Sequence, residues 1–169
     1  MARTRTLPDS DVFSAILAMI AAEGEKSVTF SAVARATGLA GASLVQRYGA
    51  LHAMVEAALG WGWDALDRVA DLAEADVSAK AKGPQALLKT LAEGARALPM
   101  PALLAASRRH VRLRARAAAW RGRVVAMLAT RPNDAERAAM LFALWQGQLL
   151  WEAAGDKGFR LKDALKRLD

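Results

Sequence analysis

Residues 29–48 carry small, flexible and apolar residues at the spacing that two closely crossing helices require. Ala34 leaves room for a second helix, and Gly38, four residues later, accepts the positive φ of a tight turn. Leu39 then fills the angle between the helices, and Leu44 anchors the second helix against the first. This spacing predicts a helix-turn-helix, and an ordinary pair of amphipathic helices is the alternative.

The remainder of the chain also favours helix. Ala, Leu, Met, Arg and Lys dominate, and no run of β-branched residues alternates with polar ones. A first helix is expected to reach Glu23, with a capping box over Thr6–Asp9, Pro8 in its first turn and Gly24 at its end. Further helices are expected at 51–76, 85–98, 102–129, 134–154 and 159–168, with a loop at 77–84. The fold class is therefore all-α.

Composition excludes several classes of protein. The 169 residues include no Cys, which removes disulfides and thiolate chemistry. No segment of about 18 residues is free of charge, so no transmembrane helix is expected, and no signal-peptide pattern develops. His52 and His110 are the only histidines, and neither has a partner at ligand spacing. No nucleotide-binding or nucleophile motif occurs. The chain is therefore expected to be cytoplasmic, to hold no cofactor or metal and to catalyse no reaction.

The net charge of +7 is unevenly distributed along the chain. Residues 1–60 hold five basic and five acidic side chains, so the whole excess lies beyond them. No acidic residue occurs between Glu93 and Asp134, a segment with nine arginines. Five of them are expected to share one helical face: Arg108, Arg109, Arg112, Arg116 and Arg123. We interpret this run as a solvated face, with an anionic ligand or an anionic membrane surface as alternatives.

The helix-turn-helix and its surroundings resemble the TetR family of transcriptional regulators. Six positions carry the residue types of that family: Ala34, Gly38, Leu39, Ser43, Leu44 and Tyr48. Residues 135–152 are similar to its dimerisation helix. The resemblance implies a DNA-binding domain at 1–50, made of three helices, and a helical ligand-binding and dimerisation domain at 51–169. It further implies a homodimeric repressor that binds double-stranded DNA under the control of an unidentified small molecule.

Three positions depart from the pattern of the family. Ala40 stands where the family has a Ser at the cap of the second helix. Val45 and Leu51 stand where the family has a Tyr and a Lys that contact phosphate groups. Phosphate contacts supply most of the affinity that does not depend on base sequence. The alternative function is therefore a protein of the same fold that has lost DNA binding and holds a lipid or another apolar small molecule.

The expected DNA contacts lie in the helix-turn-helix and in the chain that precedes it. Arg3 and Arg5 form a candidate minor-groove arm, while Gln46 and Arg47 are candidates for reading adenine and guanine. A solvated surface position is the alternative for Gln46 and for Arg47. The other expected contacts use backbone groups and side chains of the same region: Thr29, Ser31, Gly41, Ala42, Ser43, Tyr48 and His52.

Two sets of apolar residues are expected to serve the C-terminal domain. Helix 134–154 is apolar on nearly every side, so a second copy of the chain is expected to cover one stripe of it. The expected dimer contacts are Leu141, Phe142, Trp145 and Leu149. Aromatic and sulfur-containing residues are more often plain core, but the best candidates for lining a ligand cavity are Trp61, Trp63, Met100, Trp120 and Met127.

Overall fold

The computed structural model describes residues 7–80, 83–95, 98–129 and 134–156, together with Asp163. Within these residues the chain forms eight α-helices and the short 3-10 helix Glu25–Ser27, with no strand. The α-helices are α1 (Asp9–Glu23), α2 (Phe30–Thr37), α3 (Gly41–Tyr48), α4 (Leu51–Lys80), α5 (Pro84–Ala95), α6 (Met100–Ser107), α7 (Val111–Leu128) and α8 (Ala135–Ala153). The expected all-α fold class is confirmed. None of the described helices combines the length and the apolar character that crossing a membrane needs.

The first helix begins and ends close to the residues that the sequence predicted. Gly24 has a φ of 84°, and its backbone N–H donates to the carbonyl of Ile20, which ends α1 after Glu23. Pro8 is itself the N-cap residue, in an extended conformation, and no side chain among the described residues caps the helix. Pro8 therefore precedes the first turn and does not lie in it, while the expected capping box involves Thr6 and stays a prediction. Thr6 lies outside the described residues, as does the helix expected at 159–168 except for Asp163.

Two other helix boundaries differ from the expected ones. α4 continues through Lys80, into the segment 77–84 that was expected to be a loop. The first residues of this segment are compatible with a helix. The helix expected at 102–129 is interrupted at Arg108–His110 and divides into α6 and α7. At this break the backbone N–H groups of Arg109 and His110 donate to carbonyls three residues earlier. The Ser107 hydroxyl, buried at the end of α6, donates to the carbonyl of Leu103.

The chain divides into two compact units, Met1–Ala65 with Leu98–Ala117, and Leu66–Ala97 with Ala118–Asp169. The expected boundary at residue 50 is a different one, because it separates a DNA-binding domain from a ligand-binding and dimerisation domain. That boundary stays a prediction. In the first unit, α4 packs closely on its neighbours at Gly62. A Cβ added there would lie 2.9 Å from a methyl of Leu103 and 3.1 Å from one of Leu17. A larger residue at Gly62 would require the side chains of Leu103 and Leu17 to shift.

The second unit has an apolar core of its own. Its fully buried side chains come from four helices, and they include Leu66, Leu87, Leu91, Leu128 and Leu141. The buried indole of Trp120 donates from Nε1 to the carbonyl of Leu66 at 3.2 Å, which joins α7 to α4 within this unit.

Candidate nucleic-acid interface

The helices α2 and α3 form the helix-turn-helix that the sequence predicted. Thr29 caps α2, since its Oγ1 accepts a hydrogen bond of 3.0 Å from the N–H of Ala32. Gly38 ends α2 with a φ of 72°, and its N–H donates to the carbonyl of Ala34 at 2.8 Å. Leu44 is fully buried and anchors α3. The spacing of these residues therefore produces the geometry that it indicated.

The solvent-facing side of α3 is neutral. Because an α-helix turns about 100° per residue, Ala42 and Gln46 lie about 160° from buried Leu44, on either side of the opposite direction. Ser43 and Val45 each lie about 100° from Leu44. All four residues are exposed, and Val45 leaves 47% of its surface accessible. This face offers one amide, one hydroxyl and two apolar side chains.

Arg47, the only charged residue of α3, is engaged within the chain. Its Nη1 donates to the carbonyl of Leu7 at 2.9 Å, and its Nε lies 3.4 Å from Oδ1 of Asp9. Its guanidinium carbon lies 5.9 Å from the centre of the Tyr48 ring, within the range of a cation–π contact. Arg47 thus connects the end of α3 to the start of α1.

Tyr48 makes a second connection to the same carboxylate. Its hydroxyl donates to Oδ1 of Asp9 at 2.5 Å, and its ring packs against Phe13 of α1 with the centroids 5.9 Å apart. Burial, then the hydrogen bond to Asp9 and its charge, raise the pKa of Tyr48 to about 12, and Arg47 partly opposes this shift. The hydroxyl therefore remains a hydrogen-bond donor to a higher pH than an ordinary tyrosine would. Asp9 thus has a role in the site, which sequence reasoning missed because it lies 39 residues from Tyr48.

The remaining expected DNA contacts lie on the surface or outside the described residues. Ser31 and His52 are exposed. Ala40 gives α3 no side-chain cap, and the N–H groups of Gly41 and Ala42 have no acceptor among the residues that the structure describes. Free N–H groups in the first turn of a helix can bind phosphate. Arg3 and Arg5 lie outside the described residues.

The arginine run does not form the single face that was expected. Arg108 and Arg109 lie in the turn between α6 and α7, so they do not continue the helical spacing of Arg112 and Arg116. Three arginines of the run form ion pairs within their own unit, at N···O distances of 2.6 to 2.8 Å: Arg109 with Glu25, Arg116 with Asp64, and Arg123 with Asp71 and Glu74. Hydrogen bonds to Glu74 and Asp71 raise the pKa of Arg123.

Other arginines of the run agree with the solvated interpretation. Arg108, Arg112 and Arg114 are exposed and have no ion pair with any described residue. Arg121 is also exposed, and its guanidinium lies 5.7 Å from the centre of the Phe142 ring. The run is therefore a mixture of internally paired and solvated arginines.

The ligand-binding candidates of the first unit have structural contacts of their own. Trp63 is buried, and its Nε1 donates to Oγ of Ser107 at 2.9 Å. Met100 is buried, and Trp61 is half-buried with its ring 6.3 Å from that of Phe13. These contacts are those of core residues, and a ligand-binding role stays a prediction.

The candidates of the second unit adjoin an aromatic cluster. Trp120 is buried against Phe142, with a centroid distance of 6.0 Å, and Phe142 lies 5.8 Å from Trp145. Nε1 of Trp145 is buried and has no hydrogen-bond partner among the described residues. Met127 is half-buried. A ligand-binding role stays a prediction here too.

The residues of α8 that were expected to contact a second copy are mostly buried within the single chain. Leu141, Phe142 and Trp145 are buried within the single chain, and Leu149 is half-buried. The exposed apolar residues of α8 are Met140, Leu150 and Trp151. The stripe expected to contact a second copy is thus largely covered by the chain itself, and dimerisation through α8 stays a prediction.

Comparison with known proteins supports the fold. No protein-family model matches the sequence, and no protein of curated function does either. The crystal structure of the multidrug-binding protein EbrR in complex with imidazole is similar, with a TM-score of 0.68 and 23% sequence identity. The match covers 96% of this chain and 95% of the EbrR chain. The chain therefore has a TetR-like fold, in which a helix-turn-helix precedes a helical C-terminal part.

Proposed function

We propose that the chain is a homodimeric transcriptional regulator, a repressor, that binds double-stranded DNA in the cytoplasm and responds to a small molecule. The observation that carries this proposal is the helix-turn-helix. Leu44 and Gly38 hold α3 so that Ala42, Ser43, Val45 and Gln46 all face solvent. A helix exposed in this way can enter the major groove of DNA.

Dimerisation would use the exposed stripe of α8. Met140, Leu150 and Trp151 are each at least 46% exposed, and a second copy could cover them in a symmetric contact. A dimer would present two copies of α3 to successive major grooves of the same duplex. Binding of an effector would then shift the population between forms that fit two half-sites well and poorly.

The aromatic cluster of the second unit supports control by a small molecule. A buried donor that lacks an acceptor costs about 1–3 kcal/mol, and Nε1 of Trp145 has none among the described residues. An effector with an apolar body and a hydrogen-bond acceptor would complement Trp145 and its neighbours Phe142 and Trp120. The similar protein EbrR is a multidrug-binding protein, which agrees with a small-molecule effector for this chain.

The alternative is a protein of the same fold that no longer binds DNA. The neutral face of α3 and the internal contacts of Arg47 favour this alternative. It predicts that the purified chain retains a lipid or another apolar compound and shows no preference among DNA sequences.

Selection of bound fragments from random duplex DNA separates the two functions. We expect an enriched sequence with two half-sites. Ala42→Glu should abolish its binding, because it places a negative charge among the phosphates. Ala115→Glu is the matched control, an exposed alanine of α7 that should tolerate the same change. If no sequence is enriched even at low salt, the repressor proposal fails, and a co-purifying apolar compound would then support the alternative.

The dimer is tested by light scattering at micromolar concentration. Leu150→Glu should give monomers, because it puts a charge into the apolar contact. Leu72→Glu is the matched control, since Leu72 is an exposed leucine of the same unit outside α8. A monomeric wild type would contradict the proposed assembly.

A further inference from the structure

The exposed groups of α3 match one kind of base pair better than the other. In the major groove, guanine presents two acceptors and is read by Arg or Lys, while cytosine presents a donor and is read by Asp or Glu. Adenine presents a donor beside an acceptor, which an amide side chain matches, and thymine presents an apolar methyl group. Gln46 is an amide, Ala42 and Val45 are apolar, and none of the three is buried.

Arg47 is poorly placed to read guanine. It lies about 60° from Leu44 around α3, whereas Gln46 lies near the opposite side. Its side chain is only 31% exposed; its Nη1 donates to the carbonyl of Leu7, and its Nε lies 3.4 Å from the carboxylate of Asp9. These contacts draw the guanidinium toward the start of α1 and away from the exposed face of α3.

We infer that α3 reads A·T base pairs, with Gln46 bound to adenine and with Ala42 and Val45 against thymine methyl groups. A·T readout presupposes the DNA binding proposed above. Val45 gives this assignment its second support. A side chain of this size that leaves 47% of its surface in water on the exposed side of α3 gains from an apolar contact there. Arg47 then acts as a positioning residue, which holds α3 against the start of α1.

Replacement of thymine by deoxyuridine in the selected half-site tests the apolar contact directly. This exchange keeps the base pairing and removes one methyl group. We expect the affinity of the full-length protein to fall about fourfold for each contacted methyl. The same exchange outside the half-sites is the control and should change nothing. In Val45→Ser the loss at the contacted thymine should disappear, because its apolar partner is gone.

Two further variants test the assignment of the bases. Gln46→Ala should lower the affinity about tenfold or more for each half-site and should abolish the preference for adenine. Arg47→Met keeps an aliphatic stem beside Tyr48 and should retain the selected bases. Circular dichroism should show that both variants keep the helical content of the wild type.

The outcomes distinguish this inference from the proposed function. A selected half-site rich in guanine, with a preference lost in Arg47→Met, would overturn A·T readout while leaving the regulator proposal intact. A·T selection that is unaffected by deoxyuridine would overturn the roles of Ala42 and Val45. Selection of no sequence at all would remove the proposed DNA binding and the inference together.

Discussion

α3 and the segment from Arg108 to Arg123 differ both in how much positive charge they carry and in where that charge is bound. α3 contains a single arginine, and Arg47 is held by Leu7 and Asp9. The other segment contains seven arginines and no acidic residue, yet three of the seven form ion pairs with acids from elsewhere in their own unit. The density of charge along a sequence therefore does not by itself show how much of that charge is available to a partner.

Position and internal pairing are what distinguish the two regions. α3 combines the anchored geometry of a helix-turn-helix with an exposed neutral face, so its selectivity would come from amide and apolar contacts. Arg108, Arg112 and Arg114 have no ion pair with a described residue, but they lie outside that motif. We expect them to contribute to solubility and not to the reading of DNA.

The largest expected effect is the shift in the pKa of Tyr48, whose hydroxyl donates to the Asp9 carboxylate that links α3 to α1. Tyr48 is the only tyrosine of the chain, so phenolate absorbance reports on this side chain alone. It should titrate with a pKa of about 12 in the folded protein and near 10 in denaturant. Because the folded pKa is the higher one, the stabilisation is complete below pH 10 and is lost as the pH rises through 12.

The same titration separates the causes of this shift. Asp9→Asn removes the negative charge, so the pKa of Tyr48 should fall below its wild-type value. It should stay above 10, because burial is the largest cause. A folded wild type that titrates near 10 would show that α3 is not held to α1 in this way, and Arg47 would then be free to meet DNA.

A smaller effect is expected on the free energy of unfolding when an internally paired arginine is removed. Arg123→Ala removes contacts to Asp71 and Glu74 and should lower the free energy of unfolding by no more than about 1 kcal/mol, because the group is partly solvated. Arg114→Ala, in the same helix and without an ion pair among the described residues, should change it by close to zero. Urea unfolding measures both variants. Equal losses would mean that the observed pairing does not distinguish the two kinds of arginine.

The smallest effect is expected on the salt dependence of DNA binding when the solvated arginines are reversed in charge. Each phosphate neutralised in a duplex adds about 0.9 to the slope of log affinity against log salt. Arg3 and Arg5 are the expected arm, and Lys26 and Arg35 are two further exposed basic residues near the helix-turn-helix. Two to four phosphate contacts per monomer from these residues predict a slope of roughly −4 to −7 for a dimer. Arg112→Glu combined with Arg114→Glu should leave this slope unchanged. A flatter slope in the double variant would place α7 on DNA and reverse the comparison.

The sequence alone was sufficient for the helix-turn-helix and for the all-α class. Thr29 caps α2 through its own hydroxyl, and Gly38 accepts a positive φ because it has no Cβ. These properties depend on the residue and its immediate neighbours in the chain. Leu44 was equally predictable, because helical spacing decides which residue of α3 faces α2.

Only the tertiary structure decided which charges are available and which apolar stripe is covered. Arg47 meets a carbonyl 40 residues earlier in the chain, and Arg109 meets a carboxylate 84 residues earlier. Arginine also favours helix, so nothing local marked the break between α6 and α7, where Ser107 accepts the indole N–H of Trp63. On α8, both stripes are apolar, and packing within the second unit buried the one that contains Leu141. These outcomes depend on contacts between distant parts of the chain, which local spacing and propensity do not encode.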